Sequence, residues 1–340
     1  MPRERTMVPP AEFRSYYGRP ILKRPAWEWK VPAYLFVGGV SAGSAVLAAG
    51  ADLTGRPALR RGGRLGAMVS LLAGMYFLVA DLGRPERFHH MLRVAKPTSP
   101  MSVGTWILVA YGPGAAVAAA SEVLPWRVLK WVGRPAGLSS AMIAPALASY
   151  TAVLLSQTAV PAWHEAHGEL PFVFTGSAAA GAGGLGMILA PVSEAGPARM
   201  FAACGGLCEL VASRVMERKL GIVAEAYTSG RAHQLRRWSE YLTAGGLVAA
   251  AVAGRRSRVV AAASGLALLA GSALQRFGVF DAGVESTQDP KYVVVPQRQR
   301  LNERAGESRP DGASSSAARR GAPAAARRPD ASSPAPGEPR

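Results

Sequence analysis

The chain contains a series of apolar stretches about as long as a membrane is thick, separated by short polar segments. A bilayer core needs roughly 20 apolar residues per helix, and its backbone groups must be satisfied within the helix. The sequence therefore predicts an all-α integral membrane protein of about eight transmembrane helices in two bundles, with seven as the nearest alternative because the last two stretches are short and Ala-rich. The predicted spans are 31–51, 65–82, 103–123, 137–158, 172–191, 198–216, 241–254 and 259–274.

Charged residues make up 18% of the chain, below the share of about a quarter that soluble proteins carry, and they are unevenly placed. We divide the chain into a basic N-terminal segment (1–30), a transmembrane domain (31–275), a C-terminal extension (276–296) and a low-complexity tail (297–340). The tail is rich in Ala, Arg, Pro, Ser and Gly, which bury too little apolar surface to order a chain, so it is predicted to be disordered. Residues 1–30 lack the apolar core of a cleavable signal peptide, and the first helix is expected to direct insertion.

The net charge of +17 does not indicate a nucleic-acid-binding protein. The Lys and Arg residues flank apolar runs instead of lining one helix face with interleaved aromatics. With eight spans, the face that bears both termini has more of them than the other face, which favours a cytoplasmic location for the termini. The same charges suit a docking surface for a partner. Tryptophans at the predicted interfaces form an aromatic belt: Trp27, Trp29, Trp126, Trp131, Trp163 and Trp238.

Histidine and cysteine placement argues against a haem or a metal centre in this chain. All five histidines, at 89, 90, 164, 167 and 233, fall between predicted spans, whereas a transmembrane haem takes its axial ligands from helix interiors. Cys204 and Cys208 are too few for a metal site or a disulfide framework. Electrons would have to arrive from a cofactor in another subunit.

Small residues are frequent in the predicted helices. Gly38, Gly39 and Gly43 lie in the first span, and a Gly-rich run at 181–186 lies in the fifth. No strand precedes this run, so it does not match a dinucleotide-binding loop. Close packing of helices is the predicted role.

Ionisable groups in or near a membrane are costly and are therefore functional candidates. Asp81 ends the second span and Glu209 lies inside the sixth, and both are candidates for a proton path. A solvated helix end is the competing interpretation for Asp81, as it is for Asp52, Glu122 and Glu240. The segment 149–165 gathers Tyr150, Trp163 and His164, groups that can donate hydrogen bonds to a quinone carbonyl or relay protons. Spacing alone favours a packing role for Tyr150 and a belt role for Trp163.

Three stretches resemble the NrfD/polysulfide reductase membrane-subunit family. They are WKVPAYLFVGGVSAG at 29–43, then DLGRPERF at 81–88 running to KPTSPMSVGTW at 96–106, and SYTAVLL at 149–155 followed by VPAW at 160–163. The similarity covers roughly residues 25–190 and is absent from the tail.

This resemblance implies an eight-helix, haem-free anchor that binds a quinone (menaquinone or ubiquinone) as an exchangeable substrate. It also implies an iron–sulfur, ferredoxin-like partner and a molybdopterin catalytic subunit, with no catalytic residue and no metal in this chain. Tyr150 matches the family's fourth-helix tyrosine at the quinone, and Lys30, His164 and Trp163 complete the predicted site. Asp81 and Glu209 are the predicted proton-path residues. The polar pair that some members carry in the first helix is not matched here.

Two other functions are compatible with the pattern. A secondary transporter or proton-translocating protein would be equally polytopic and glycine-rich, although no internal repeat is apparent. A purely structural anchor would share the partners and lack the quinone site. Binding of a quinone analogue separates the anchor from the quinone-reactive subunit.

Overall fold

The computed structural model describes residues 20–307, and in this range it is helical without strands. Ten helices precede a final one that ends at Glu307. The helices are α1 (Lys30–Leu53), α2 (Pro57–Ala80), α3 (Pro100–Val123), α4 (Arg127–Ser156), α5 (Pro161–Glu165), α6 (Leu170–Leu189), α7 (Gly196–Lys219), α8 (Glu225–Thr228), α9 (Gly230–Val252), α10 (Arg258–Ser286) and α11 (Lys291–Glu307). Short 3₁₀ turns cover Pro85–Leu92 and Gly221–Ala224.

Eight long helices overlap the eight predicted spans, although α4 and α9 begin about ten residues before the spans predicted at 137 and 241. Six of them, among the described residues, are long and apolar enough to cross a membrane: α1, α2, α3, α4, α6 and α10. The remaining two, α7 and α9, carry several charged residues near one end. The protein is therefore a multi-pass membrane protein with six spans supported by length and composition, and the count of eight stays a prediction.

The long helices pack as antiparallel neighbours in two groups. Helices α1 to α4 form the first group, and α6, α7, α9 and α10 form the second. The groups meet where α6 packs on α1 and α4 and where α10 packs on α1. Most apolar residues of α1 and α6 are buried, whereas much of α2 and α3 faces outward, as expected for helices in contact with lipid. Gly43 illustrates the close approach, because a Cβ there would lie 2.6 Å from Ala182 Cβ. The predicted packing role is confirmed for Gly43 and for the glycines of the run at 181–186, whereas a Cβ at Gly38 would have no neighbour closer than Tyr34 Cε2 at 4.0 Å.

The C-terminal region differs from the predicted boundaries. Helix α10 continues without a break from Arg258 to Ser286, through the expected end of the transmembrane domain at residue 275. Its extra turns are held by buried polar contacts, including Arg276 Nη2 to the Phe174 carbonyl at 2.6 Å. Helix α11 covers residues 297–307 of the segment predicted to be disordered. Residues 1–19 and 308–340, the rest of the predicted terminal segments, lie outside the described range.

One end of the first helix group is closed by a network of ion pairs. Arg64 contacts Asp52 at 3.4 Å and Glu122 at 2.9 Å, and Arg60 contacts Glu122 at 2.8 Å. The side chains of Asp52 and Glu122 are only 9% and 8% exposed. These carboxylates are thus not the solvated helix ends considered above, because neighbouring helices bring cations to them. The network ties α1, α2 and α3 together at the end opposite Lys30.

Candidate functional site

A cavity of about 310 Å³ lies at the end of the first helix group where α1 begins and α2 and α4 end. This volume is in the range of small-molecule sites. Its lining is largely apolar, with polar groups contributed by Tyr34, Asp81, Thr105 and Tyr150. The site is therefore an apolar slot with a few convergent polar atoms.

Tyr150, predicted from the sequence, lines the cavity from α4. Its ring packs so closely on α3 that a Cβ at Gly104 would lie 2.2 Å from Tyr150 Cε2. The absence of a side chain at position 104 thus fixes where the ring of Tyr150 lies.

Tyr34 is a second aromatic hydroxyl at the cavity, which sequence reasoning missed. The residue is 3% exposed, and its Oη is buried without a hydrogen-bond partner among the described residues. Leaving a buried hydroxyl unpaired costs about 1–3 kcal/mol, so this atom is suited to a ligand acceptor. In the sequence, Tyr34 sits inside an apolar run and looks like a packing residue. Only its position one turn after Lys30, at the same helix end as Asp81, would have indicated a site.

Asp81 lies directly after the last residue of α2 and lines the same cavity. Burial raises the pKa of the Asp81 carboxyl above its ordinary value, while the Lys30 ammonium acts in the opposite direction. Lys30 Nζ donates to the Ala80 carbonyl at 3.2 Å and lies 3.5 Å from Glu28 Oε2. Lys30 does not line the cavity, but its ammonium is close enough to act on the Asp81 carboxyl. The structure thus places the predicted proton-path residue Asp81 at the predicted binding site itself.

Trp163 reaches the cavity only through Trp27. Trp27 lines the wall and stacks on Trp163 with ring centroids 5.8 Å apart. Trp163 is fully buried, and its Nε1 donates to the Val279 carbonyl at 2.8 Å. The prediction of Trp163 as a belt residue is wrong, because α10 is long enough to cover it. Trp163 therefore packs behind Trp27 and does not line the cavity itself.

The two other predicted site residues lie elsewhere. His164 is absent from the wall of this cavity, and its Nδ1 lies 3.0 Å from the Ser156 carbonyl at the end of α4. Glu209 is buried in the second helix group, on α7. It belongs to a separate polar cluster.

A second cavity of about 260 Å³ adjoins the first between α2, the 3₁₀ turn and α3. The two cavities share wall residues, among them Leu78, Thr105 and Leu108. The second cavity is otherwise walled by apolar side chains such as Met75 and Val109. The first cavity thus continues into an apolar groove on the outward-facing side of the bundle.

Within residues 20–307, no group of three or more His, Cys, Asp or Glu side chains gathers in a way that could hold a metal ion. His89 and His90 lie in the 3₁₀ turn, and His233 lies in the first turn of α9.

Comparison with known proteins gives a consistent result. The family described as "Polysulphide reductase, NrfD" matches residues 22–196, a range that contains the whole cavity. A segment of 93 residues is 32% identical to one of the polypeptides of polysulfide reductase from Wolinella succinogenes, covering 26% of this chain and 29% of that protein. A segment of 80 residues is 36% identical to one of the subunits of selenate reductase from Mesobacillus selenatarsenatis, covering 23% of this chain and 19% of that protein. The matched segments thus span less than a third of each relative.

Proposed function

From the premise that this chain belongs to the polysulphide reductase, NrfD family, we propose that it is the quinone-binding membrane subunit of an oxidoreductase. The cavity beside Tyr150 exchanges quinone and quinol with the membrane, and electrons pass to or from an iron–sulfur partner subunit. Two findings support this assignment: the family match covers the cavity, and both relatives are components of reductases.

The single observation that carries the proposal is the apolar slot with an unpaired hydroxyl. A quinone needs an apolar space for its ring and a donor at each carbonyl. Tyr150 from α4 and Tyr34 from α1 line the same cavity. The buried Tyr34 Oη has no other partner in the described part of the chain, so a quinone carbonyl would satisfy it. Menaquinone and ubiquinone both fit this requirement.

Asp81 is the proposed proton acceptor at this site. Oxidation of a quinol releases two protons and two electrons. The carboxylate at the cavity wall accepts one proton, the other passes to solvent water, and both electrons go to the partner subunit. Lys30, next to Asp81, keeps a positive charge near the site. His164 and Trp163 do not contact the quinone. His164 holds the end of α4, and Trp163 holds the ring of Trp27.

The partners proposed for this subunit are an iron–sulfur, ferredoxin-like protein and a molybdopterin catalytic subunit. The surface around the cavity mouth carries Arg84, Arg87, Arg93 and Lys96 on the exposed segment between α2 and α3. Such a basic surface suits an acidic redox partner, because complementary charge steers association.

The test is exchange of Tyr150 for Phe in the intact complex. The variant loses a hydrogen bond to the quinone and is expected to lower quinol turnover while the complex still assembles. The second measurement is binding of a quinone analogue to the purified subunit. Binding is detected as quenching of the fluorescence of Trp27 by the analogue. Unchanged turnover would remove Tyr150 from the site, and absent binding would leave the purely structural anchor.

A further inference from the structure

The second helix group contains a buried polar cluster that lies apart from the cavity. Glu209 of α7 is 2% exposed and Arg276 of α10 is fully buried. The hydroxyls of Ser177 on α6 and Ser239 on α9 stand next to the Glu209 carboxylate. Four helices therefore contribute polar side chains to one place inside a membrane protein, where each is expensive to bury.

Several atoms of this cluster lack protein partners. Among the described residues, Glu209 Oε2 and Arg276 Nε and Nη1 are buried and have no hydrogen-bond partner. Buried polar atoms in native proteins are nearly always paired with protein or ordered water. The unpaired atoms belong to both a carboxylate and a guanidinium, so neither a cation nor an anion alone would satisfy them. Water satisfies both, since it donates to the carboxylate and accepts from the guanidinium.

A line of polar side chains runs from this cluster towards the face where α1 begins and α7 ends. Glu209, Ser213 and Glu217 are spaced four residues apart on α7 and so lie on one face of the helix. Ser213 Oγ accepts a hydrogen bond from Gln275 Nε2 at 3.2 Å. Glu217 is paired with the buried Arg236, and its side chain is 26% exposed. The line thus runs from a solvent-accessible carboxylate to a buried one.

The opposite direction contains hydroxyls and no carboxylate among the described residues. Beyond Glu209 lie the buried hydroxyls of Thr243 and Ser264, which also lack partners, but neither α9 after Thr243 nor α10 before Ser264 carries an Asp or Glu. The other charged groups that interact with Glu209 are Arg276 and, more weakly, Arg236. Arg276 also approaches α1, because its Nη2 lies 3.1 Å from the position of a Cβ at Gly39. The cluster therefore sits at the seam between the helix groups, and the line that ends at a partly exposed carboxylate, Glu217, runs towards the face where α1 begins.

We infer that Glu209 is a proton-exchanging site reached from the face where α1 begins through a hydrated half-channel along Ser213, Gln275 and Glu217. A proton moves from hydronium at that face to Glu209 Oε2, which becomes a carboxylic acid, and returns to water by the same route. The step requires water alone as co-reactant. None of these residues lines the quinone cavity, so the inference does not depend on the proposed function.

The test uses dicyclohexylcarbodiimide, which reacts with protonated carboxyl groups in apolar surroundings, on the full chain in membranes. Mass spectrometry is expected to locate the adduct on Glu209, and labelling should slow as the external pH rises. Ser213→Val replaces the hydroxyl with two methyl groups that exclude water from the route. It is expected to slow labelling roughly tenfold, as the loss of one hydrogen-bonded relay step would. Ser213→Ala leaves room for water and should label close to the wild-type rate.

The controls separate a blocked channel from a misfolded protein. Ser139→Val makes the same change on the exposed surface of α4 and should leave labelling unchanged. Thermal unfolding of each variant shows whether it is folded, and Gln275→Leu provides a second block should Ser213→Val fail to fold. A folded wild-type protein without label on Glu209 would overturn the inference. Labelling that is unaffected by both folded blocking variants would overturn the route.

Discussion

The ring of Tyr150 occupies the space that a side chain at position 104 would need: a Cβ on Gly104 would lie 2.2 Å from Tyr150 Cε2 and 2.9 Å from Tyr150 Cζ. Carbon atoms do not approach this closely, so α3 and the tyrosine are compatible only while residue 104 is glycine. Because Tyr150 lines the cavity, the glycine determines the shape of the site without touching a ligand.

Gly104→Val is therefore expected to push the Tyr150 ring into the cavity. Affinity for a quinone analogue should fall about tenfold or more, as for the loss of one good hydrogen bond, and stability should fall by about 1–3 kcal/mol through overpacking. Titration of the analogue and thermal unfolding measure the two effects. Gly50→Ala is the control, since a Cβ there meets nothing within 4 Å. Retained affinity in a folded Gly104→Val protein would contradict this role.

Trp27 should affect quinone binding directly, and Trp163 should affect it through its contact with Trp27. Trp27→Ala removes part of the cavity wall and is expected to weaken analogue binding about tenfold. Trp163→Phe keeps an aromatic ring behind Trp27 and loses the hydrogen bond to the Val279 carbonyl, so a smaller loss is expected, with a stability cost of about 1 kcal/mol. Trp131→Phe, at a position 86% exposed, should change neither quantity. A larger binding loss for Trp163→Phe than for Trp27→Ala would refute the proposed order.

The sequence predicts the helices of this protein well because hydropathy and length act locally. The apolar runs indicate where helices lie, and resemblance to the family identifies Tyr150. What depends on distant contacts is not visible in the sequence. The burial of Trp163 requires Val279, more than a hundred positions away, and the pairing of Glu122 requires Arg60 and Arg64 on another helix. Tyr34 was missed for the same reason, since an unpaired hydroxyl can be recognised only once its neighbours are known.

The ion-pair network at the opposite end should contribute to stability and not to binding. Glu122→Gln removes the negative charge that faces the buried Arg64 and is expected to lower the free energy of unfolding by about 2–3 kcal/mol. This cost is smaller than that of breaking a fully buried ion pair, because Arg60 is 33% exposed. Glu225→Gln breaks the exposed pair with Lys291 and should cost less than about 1 kcal/mol. Denaturant or thermal unfolding in detergent gives both values. Unchanged analogue affinity in both variants is expected, and equal stability costs would show that the network is no stronger than a surface pair.

The apolar groove next to the cavity should hold the isoprenoid tail. Val109 lines this groove and not the first cavity. Val109→Trp is therefore expected to weaken binding of a long-tailed quinone about tenfold, since each methylene that it displaces loses roughly 0.8 kcal/mol of burial. A quinone without a tail should bind with unchanged affinity, because the first cavity is unchanged. Val128→Trp, at an exposed position on α4, controls for an added tryptophan. Equal loss for both quinones would place the tail elsewhere.

Asp81 should give the protein a distinctive pH dependence. Burial raises its pKa in the folded protein, so protonation of Asp81 favours the native state. This contribution is fully present below the ordinary Asp value of 3.8 and is lost as the pH rises through the raised value. The melting temperature of the wild type, relative to that of Asp81→Asn, should therefore decline as the pH rises from about 4. Asp289→Asn removes an exposed carboxylate and serves as the control. A difference that grows with pH would instead show that attraction to Lys30 outweighs burial, and Asp81 would then hold no proton for exchange at the cavity.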